Sequence, residues 1–544
     1  MTTPDQHFDY DWLVIGSGFG GSVSALRLAE KGYSVGVIEC GRRYEDSDLP
    51  RSTWDLRRYF WSPRLGMRGI FRLTYFKDVS IVSGCGVGGG SLGYANTLYV
   101  PPSRFFEDSQ WSELGDWETE LAPHYDEAQR MLGVVAYDQD DPAADLLREF
   151  GEELGVGDTY SRTRVGVFLG EPGKTVADPY FGGEGPPRTG CMRCGRCMVG
   201  CPHGAKNSLV KNYLWLAERR GAKVMPERQV VDVRPLGAAD GSDGYLVTTE
   251  RPGAWFRKRR RVHTARGVVM AAGPLGTNKL LANCRHSGSL PNLSPRLGEL
   301  VRTNSEVILA VTAPDDGVDY TKRVAITSSV YPDPNTHIET VIYGNEGGAI
   351  KGLYTLLVGE GTRVTRPLKL LGTLARNPRK LFKLLLTPGW SRRTIILLVM
   401  QTLDNAIALR PKPVPGGGVR LQTEQDPEKP IPTFIPVANQ AAEWFAERMG
   451  GIAQSSIGEA MWNVPSTAHI LGGVVIGADP DHGVVDTDQR VFGYENLLVC
   501  DGSAVPANVG VNPSLTITAM AEHAMTYVPE VPVTSRAKVS KTST

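Results

Sequence analysis

The pattern of apolar and polar positions is most regular near the amino end. Residues 12–15 form an unbroken apolar, β-prone run, as expected of a strand in a buried parallel sheet. Gly16, Gly18 and Gly21 follow at GxGxxG spacing, and Val23, Leu26 and Leu28 then recur on the sheet-facing side of a helix that begins near Gly18. Residues 34–38 predict a second strand, with Glu39 at its end. The first glycine permits a tight turn, the second lets backbone approach a pyrophosphate, and the third lets helix pack on strand. The helix N-terminus points its N–H groups at the phosphates, and a carboxylate at Glu39 suits both hydroxyls of a ribose. This register of elements predicts a dinucleotide site.

Further along, residues 103–150 read as amphipathic helix and 155–190 as Gly/Pro-rich loop. A helix over 205–222 leads into a strand. Val230, Val231 and Val233 form a strand of the kind that returns to a nucleotide-binding sheet. Residues 268–272 predict another buried strand, then Gly273-Pro274 and a helix over 275–282. Residues 300–455 mix strands with a basic helical stretch. A last strand over 497–501 ends in Asp501-Gly502-Ser503 and precedes a final helix. The nucleotide sheet is therefore resumed long after its first unit. A second glycine-rich segment, 84–99, holds Gly86, Gly88, Gly89 and Gly90, whose backbone is free to contact a flat or anionic ligand.

At 544 residues the chain exceeds a single core, so two or more domains are expected. Acids and bases balance at 59 each, which removes the electrostatic case for a nucleic-acid partner. The acidic start has no basic, then apolar, leader pattern, and no run reaches the ~18–20 apolar residues of a membrane span. The eight cysteines do not form a secreted disulfide framework, so a reducing cytoplasm is the expected location. Residues 531–544 read as a loose tail.

Taken together, the motifs GSGFGG with Glu39, GVGGGSLGYAN, GAKNSLVKNYL, VVMAAGPLGTNKLL, AHILGG and LLVCDGSAVPANVGVNPSLTITAMAE resemble the glucose–methanol–choline (GMC) flavin oxidoreductases, cholesterol oxidase-like branch. The resemblance implies an α/β fold with a Rossmann-like FAD-binding domain of the glutathione-reductase type. That domain would be discontinuous over 1–102, 186–298 and 460–530. An α+β substrate-binding domain with an antiparallel sheet would occupy 103–185 and 299–459. Bound FAD is implied, its pyrophosphate on Gly16, Gly18 and Gly21 and its adenosine ribose on Glu39, with Val230 beside the adenine. Gly86, Gly89, Gly90, Ser91 and Asn96 would lie along the flavin, with Ala272, Gly273, Asp501 and Gly502 near the ribityl and pyrophosphate.

The resemblance also implies oxidation of the hydroxyl of a sterol or other bulky hydrophobic alcohol, with His469 and Asn512 at the reacting end. A neutral histidine suits a hydroxyl proton near pH 7. Here Ile470 stands where the family's motif has proline, so the backbone is less constrained. Glu346, after the strand-like IETVIYG, is a candidate for moving a proton in a double-bond isomerisation, against the plainer reading of a surface loop acid. A sugar or other alcohol dehydrogenase and a flavin-binding protein without turnover stand as alternatives. Oxygen or a redox partner would take the electrons.

Two segments add chemistry of their own. Cys191, Cys194, Cys197 and Cys201, followed by Pro202, match the bacterial ferredoxin spacing for a 4Fe–4S cluster. A metal-free loop is the alternative, and zinc, which normally takes two separated pairs, fits less well. Residues 361–403 carry nine Lys/Arg and no acid among many leucines. Such a basic amphipathic segment reads either as a peripheral contact with anionic lipid or as a helix with leucines packed inward and bases in water.

Overall fold

The computed structural model describes residues 7–531 apart from Trp255 and Asp316. The expected tail beyond Val531 lies outside the described residues.

The strand Tyr10–Ile15 runs parallel to Val35–Ile38 on one side and Arg261–Met270 on the other. Leu13 and Val14 are fully buried, each such side chain contributing about 1.5–3 kcal/mol of burial. Lys223–Met225 extends the sheet beyond Val35–Ile38. Leu497–Val499 joins parallel to the carboxyl end of Arg261–Met270. Tyr245–Glu250 and Gln229–Pro235 complete it as an antiparallel pair on the amino half of that long strand. The helices Phe19–Glu30 and Ser514–Thr526 pack together with Trp117–Met131 against this core. Val23, Leu26 and Leu28 are fully buried, as their spacing predicts.

A second sheet of seven strands is antiparallel throughout. Thr336–Val341, Thr394–Gln401 and Val307–Thr312 lie at its centre, and Pro436–Arg448 packs on it through Ala438, Ala441, Ala442 and Phe445. Every residue of Thr336–Val341 is buried, including His337 and Glu339.

Within the basic segment, Thr365–Arg376 and Pro378–Leu386 are helices, followed by the short helix Trp390–Arg393 and the central strand Thr394–Gln401. The first two helices break at Asn377, because the residue before a proline is driven out of helical geometry. Its leucines split between two environments. Leu370 and Leu384 are buried, whereas Leu368, Leu371, Phe382, Leu385 and Leu386 are exposed. Its bases split too. Arg366 is buried and donates to the Thr433 carbonyl and Asn463 Oδ1, and Arg363 pairs with Asp78 at 2.9 Å. Arg376, Arg379, Lys380 and Lys383 face outward. Among the described residues no helix is long and apolar enough to cross a membrane.

Candidate active site

The sheet register brings the nucleotide motifs together. Ile15 pairs with Ile38 and Met270, and Met270 with Val499. The residues that follow, Gly16, Glu39, Ala271 and Cys500, therefore meet at one carboxyl edge, where open α/β sheets bind ligands. Gly16 is left-handed (φ 108°), and a Cβ there would lie 2.0 Å from the Ala271 carbonyl oxygen. A Cβ on Gly21 would lie 2.1 Å from the Gly16 oxygen. At Gly18 and Gly273, by contrast, a Cβ would meet no described atom within 4 Å.

Buried Glu39 accepts from Ser17 N–H at 3.1 Å, Ser17 Oγ at 2.7 Å and Gly41 N–H at 2.7 Å. The Arg228 N–H donates to the Glu39 carbonyl, which sets the strand carrying buried Val230 beside it. The second glycine segment lies directly on the first: Gly88 N–H donates to Ser17 Oγ at 3.1 Å, and a Cβ on Gly89 would lie 2.7 Å from Gly18 Cα. Gly86 and Gly89 are left-handed, while Gly90 borders mostly open space. Ser91 Oγ ties Gly88 to Leu209. Asn96 is left-handed and fully buried, and neither amide atom finds a partner among the described residues.

Asp501 acts through the backbone around it. Its carboxylate accepts from Gly273 N–H (2.9 Å), Thr277 Oγ1 (2.5 Å) and Ser503 N–H (2.7 Å), and burial raises its pKa. Thr277 Oγ1 also accepts from Ala272 N–H, and the Gly502 carbonyl accepts from Gly472 N–H. These bonds fix the start of the helix Gly273–Ser287 and dock the segment carrying His469. Open space at two glycines, unpaired Asn96 and a buried ribose-type acid all fit bound FAD.

At the other end, Glu306 meets His469 Nδ1 and accepts from Ala468 N–H at 3.0 Å. Asn512 Nδ2 donates to Glu339 at 3.4 Å, and Asn512 Oδ1 has no partner among the described residues. One strained stretch joins the two pairs. Asn304 and Ser305 are left-handed, and Asn304 donates to the Val511 carbonyl and accepts from Gly510 N–H. Non-glycine residues are held there only where surroundings enforce it. Burial, with the Glu306 charge adding to it, pushes the Glu339 carboxyl up to about 8. Burial likewise lowers His337 to about 3, so its ring is neutral.

Glu346 lies elsewhere. It faces Arg196 at 3.8 Å in the segment Asn345–Leu353, while its carbonyl accepts from Thr53. The acid that reaches Asn512 is Glu339, seven residues earlier. Neither Glu306 nor Glu339 was among the expected site residues. The signal for Glu339 was an acid inside an otherwise strand-like run, IETV.

The four clustered cysteines line one cavity with Asn96, Arg196 and Lys206. All four thiols are free. Burial raises Cys191 to about 12 and Cys197 to about 11, so neither is a reactive nucleophile at neutral pH.

Comparison with known proteins agrees with this geometry. Residues 11–332 match the FAD dependent oxidoreductase family model and 417–521 the GMC oxidoreductase model. The chain is 51% identical over 540 residues to a cholesterol oxidase of Mycobacterium tuberculosis, covering 97% of this chain and 92% of the relative. It is 48% identical over 532 residues to a cholesterol oxidase of Acinetobacter baumannii, covering 96% and 95%. Pyridoxine 4-oxidase from Mesorbium loti shares the fold, with a TM-score of 0.59 at 16% identity over 95% of this chain and 99% of that one. The chain therefore belongs to the GMC oxidoreductase family, as a flavin-dependent enzyme acting on CH–OH groups in the branch that resembles the cholesterol oxidases.

Proposed function

We propose that this protein oxidises the ring hydroxyl of a sterol to a ketone. The observation that carries the reading is the pairing of His469 with Glu306 and of Asn512 with Glu339. It occurs in a chain about half identical, over nearly its whole length, to cholesterol oxidases. Bound FAD supplies the acceptor for the hydride that leaves the carbinol carbon. The protein must hold that carbon and manage the hydroxyl proton. With Nδ1 on Glu306, the useful tautomer keeps its proton on Nδ1 and offers the Nε2 lone pair to the hydroxyl. Asn512 gives one Nδ2 hydrogen to Glu339 and keeps the second to direct at the substrate oxygen. Glu339, which Asn512 contacts, suits a proton shuttle in a double-bond isomerisation better than Glu346, which lies beside Arg196. The relatives' name, oxidase, supports oxygen as electron acceptor.

The exposed leucines and outward bases of 365–386 support contact with anionic lipid, from which a sterol is drawn. The test of the function is anaerobic flavin bleaching by a panel of sterols, long-chain alcohols and sugars, followed by admission of oxygen. Bleaching by a sterol and rapid reoxidation are expected. Bleaching by sugars alone would replace the sterol reading, and no bleaching by any alcohol would remove it.

A further inference from the structure

The cysteine cavity is not used by the alcohol chemistry, and three features of it point to a ligand. The first is the spacing of the sulfurs. Among the described residues, the one group of three candidate metal ligands gathered within 4.8 Å is Glu39, Cys40 and Cys85. No three of Cys191, Cys194, Cys197 and Cys201 are that close, although all four line a single cavity. A lone tetrahedral zinc with ~2.3 Å bonds would draw its thiolates to about 4 Å apart. A cubane binds each thiolate at a different iron corner and holds them further apart, so the lack of any three within 4.8 Å is compatible with it.

The second feature is the direction of the backbone. Arg193 N–H donates to Cys191 Sγ at 3.4 Å. The backbone N–H groups of Arg196 and Ala325 lie near the sulfurs of Cys194 and Cys197 and act to lower their thiol pKa values. Arg193, Gly195 and Gly200 are all left-handed, and such turns aim successive N–H groups inward. Hydrogen bonds to sulfur are a means by which proteins stabilise iron–sulfur clusters and set their potentials.

The third feature is a buried lysine amine and its location. Lys206 is 3% exposed, and its Nζ donates to the carbonyls of Leu92 (3.0 Å), Tyr94 (2.8 Å) and Cys197 (2.8 Å). In its ammonium form it would offset the net negative charge of a four-thiolate cluster. It also ties the cysteine loop to the glycine segment assigned to the flavin, with Asn96 shared between that segment and the cavity.

We infer that Cys191, Cys194, Cys197 and Cys201 bind one 4Fe–4S cluster beside the flavin site. The cluster gives electrons a second outlet besides oxygen. Oxidation of one alcohol to a ketone releases two electrons and two protons. Single-electron passage then reduces two equivalents of a one-electron acceptor protein and releases both protons to solvent. The inference rests on the flavin oxidoreductase reading only for this role; the site itself stands on the cysteines.

The test is the full chain purified under nitrogen, with flavin, iron, zinc and acid-labile sulfide measured in one sample. About four iron and four sulfide per chain are expected. Reduction by dithionite should add an EPR signal distinct from a flavin radical. Cys194→Ser and Cys197→Ser should lose most of the iron and that signal, while Cys284→Ser, at a buried cysteine outside the cavity, should keep both. Flavin-loaded protein with less than about half an iron per chain, or with one zinc instead, would overturn the inference. So would full iron in both cavity variants. If those variants do not fold, the wild-type metal content and EPR decide alone. Alcohol-dependent bleaching in the same sample reports separately on the proposed function.

Discussion

Glu339 has 0% exposure, and burial has moved its proton affinity into the physiological range. With a folded-state value of about 8 against an ordinary 4.5, the folded protein keeps a proton that the unfolded chain has already released. Stability linked to this group is full below pH 4.5 and is lost as pH rises to 8. Denaturant melts at pH 5.5 and 8 should show the wild type losing roughly 1–3 kcal/mol more than Glu339→Gln across that interval. Parallel losses in the two proteins would mean that the carboxyl is already ionised at pH 5.5. His469 should report on chemistry rather than folding. His469→Gln should lower kcat by roughly 10²–10⁴-fold, the usual range for a positioned acid–base group, with flavin content unchanged. A loss confined to KM would make it a binding residue. Glu306→Gln leaves a hydrogen-bond acceptor for Nδ1 without the charge, and a smaller loss in kcat is expected from it.

At the scale of elements, the first turn separates folding from cofactor binding. A methyl at Gly21 would strike the Gly16 carbonyl, whereas one at Gly18 would meet no described atom within 4 Å. Gly21→Ala should cost stability, about 1–3 kcal/mol as for other overpacking, and also flavin. Gly18→Ala should melt like the cofactor-free wild type yet copurify with little FAD, because its methyl takes the space of the pyrophosphate. Full flavin loading of Gly18→Ala would place the phosphates elsewhere. The paired basic helices make a different prediction. Arg379, Lys380 and Lys383 each contribute about 1 kcal/mol near an anionic surface. Replacing all three with serine should weaken flotation on phosphatidylglycerol vesicles at low salt by up to roughly a hundredfold. Equal flotation of the two proteins would remove this segment as the anchor.

For the whole molecule, FAD is expected to join segments distant in sequence, since Gly16, Glu39, Ala271 and Cys500 share one edge. Removal of FAD should therefore destabilise the protein as a unit. Re-adding it at about 100 times Kd should restore ~2.7 kcal/mol and raise the melting temperature by a few degrees in a concentration-dependent way. A concentration-independent melt would mean that flavin and fold are uncoupled. The dinucleotide turn and its acid were legible in the chain because strand, glycines, helix and second strand are local, and spacing alone sets their geometry. The strands at 268–272 and 497–501 were legible as apolar runs, and their joining Gly16 at one edge is a product of sheet register. The cysteines were legible as a pattern, but their wide spacing around one cavity was not. Least legible were Glu306 and Glu339, which lie 163 and 173 residues from His469 and Asn512. No periodicity links residues so far apart. The sequence by itself determined the turn that receives the cofactor. Only tertiary packing decided which buried carboxylates hold the reacting side chains, because that depends on two sheets and a strained connection meeting in space.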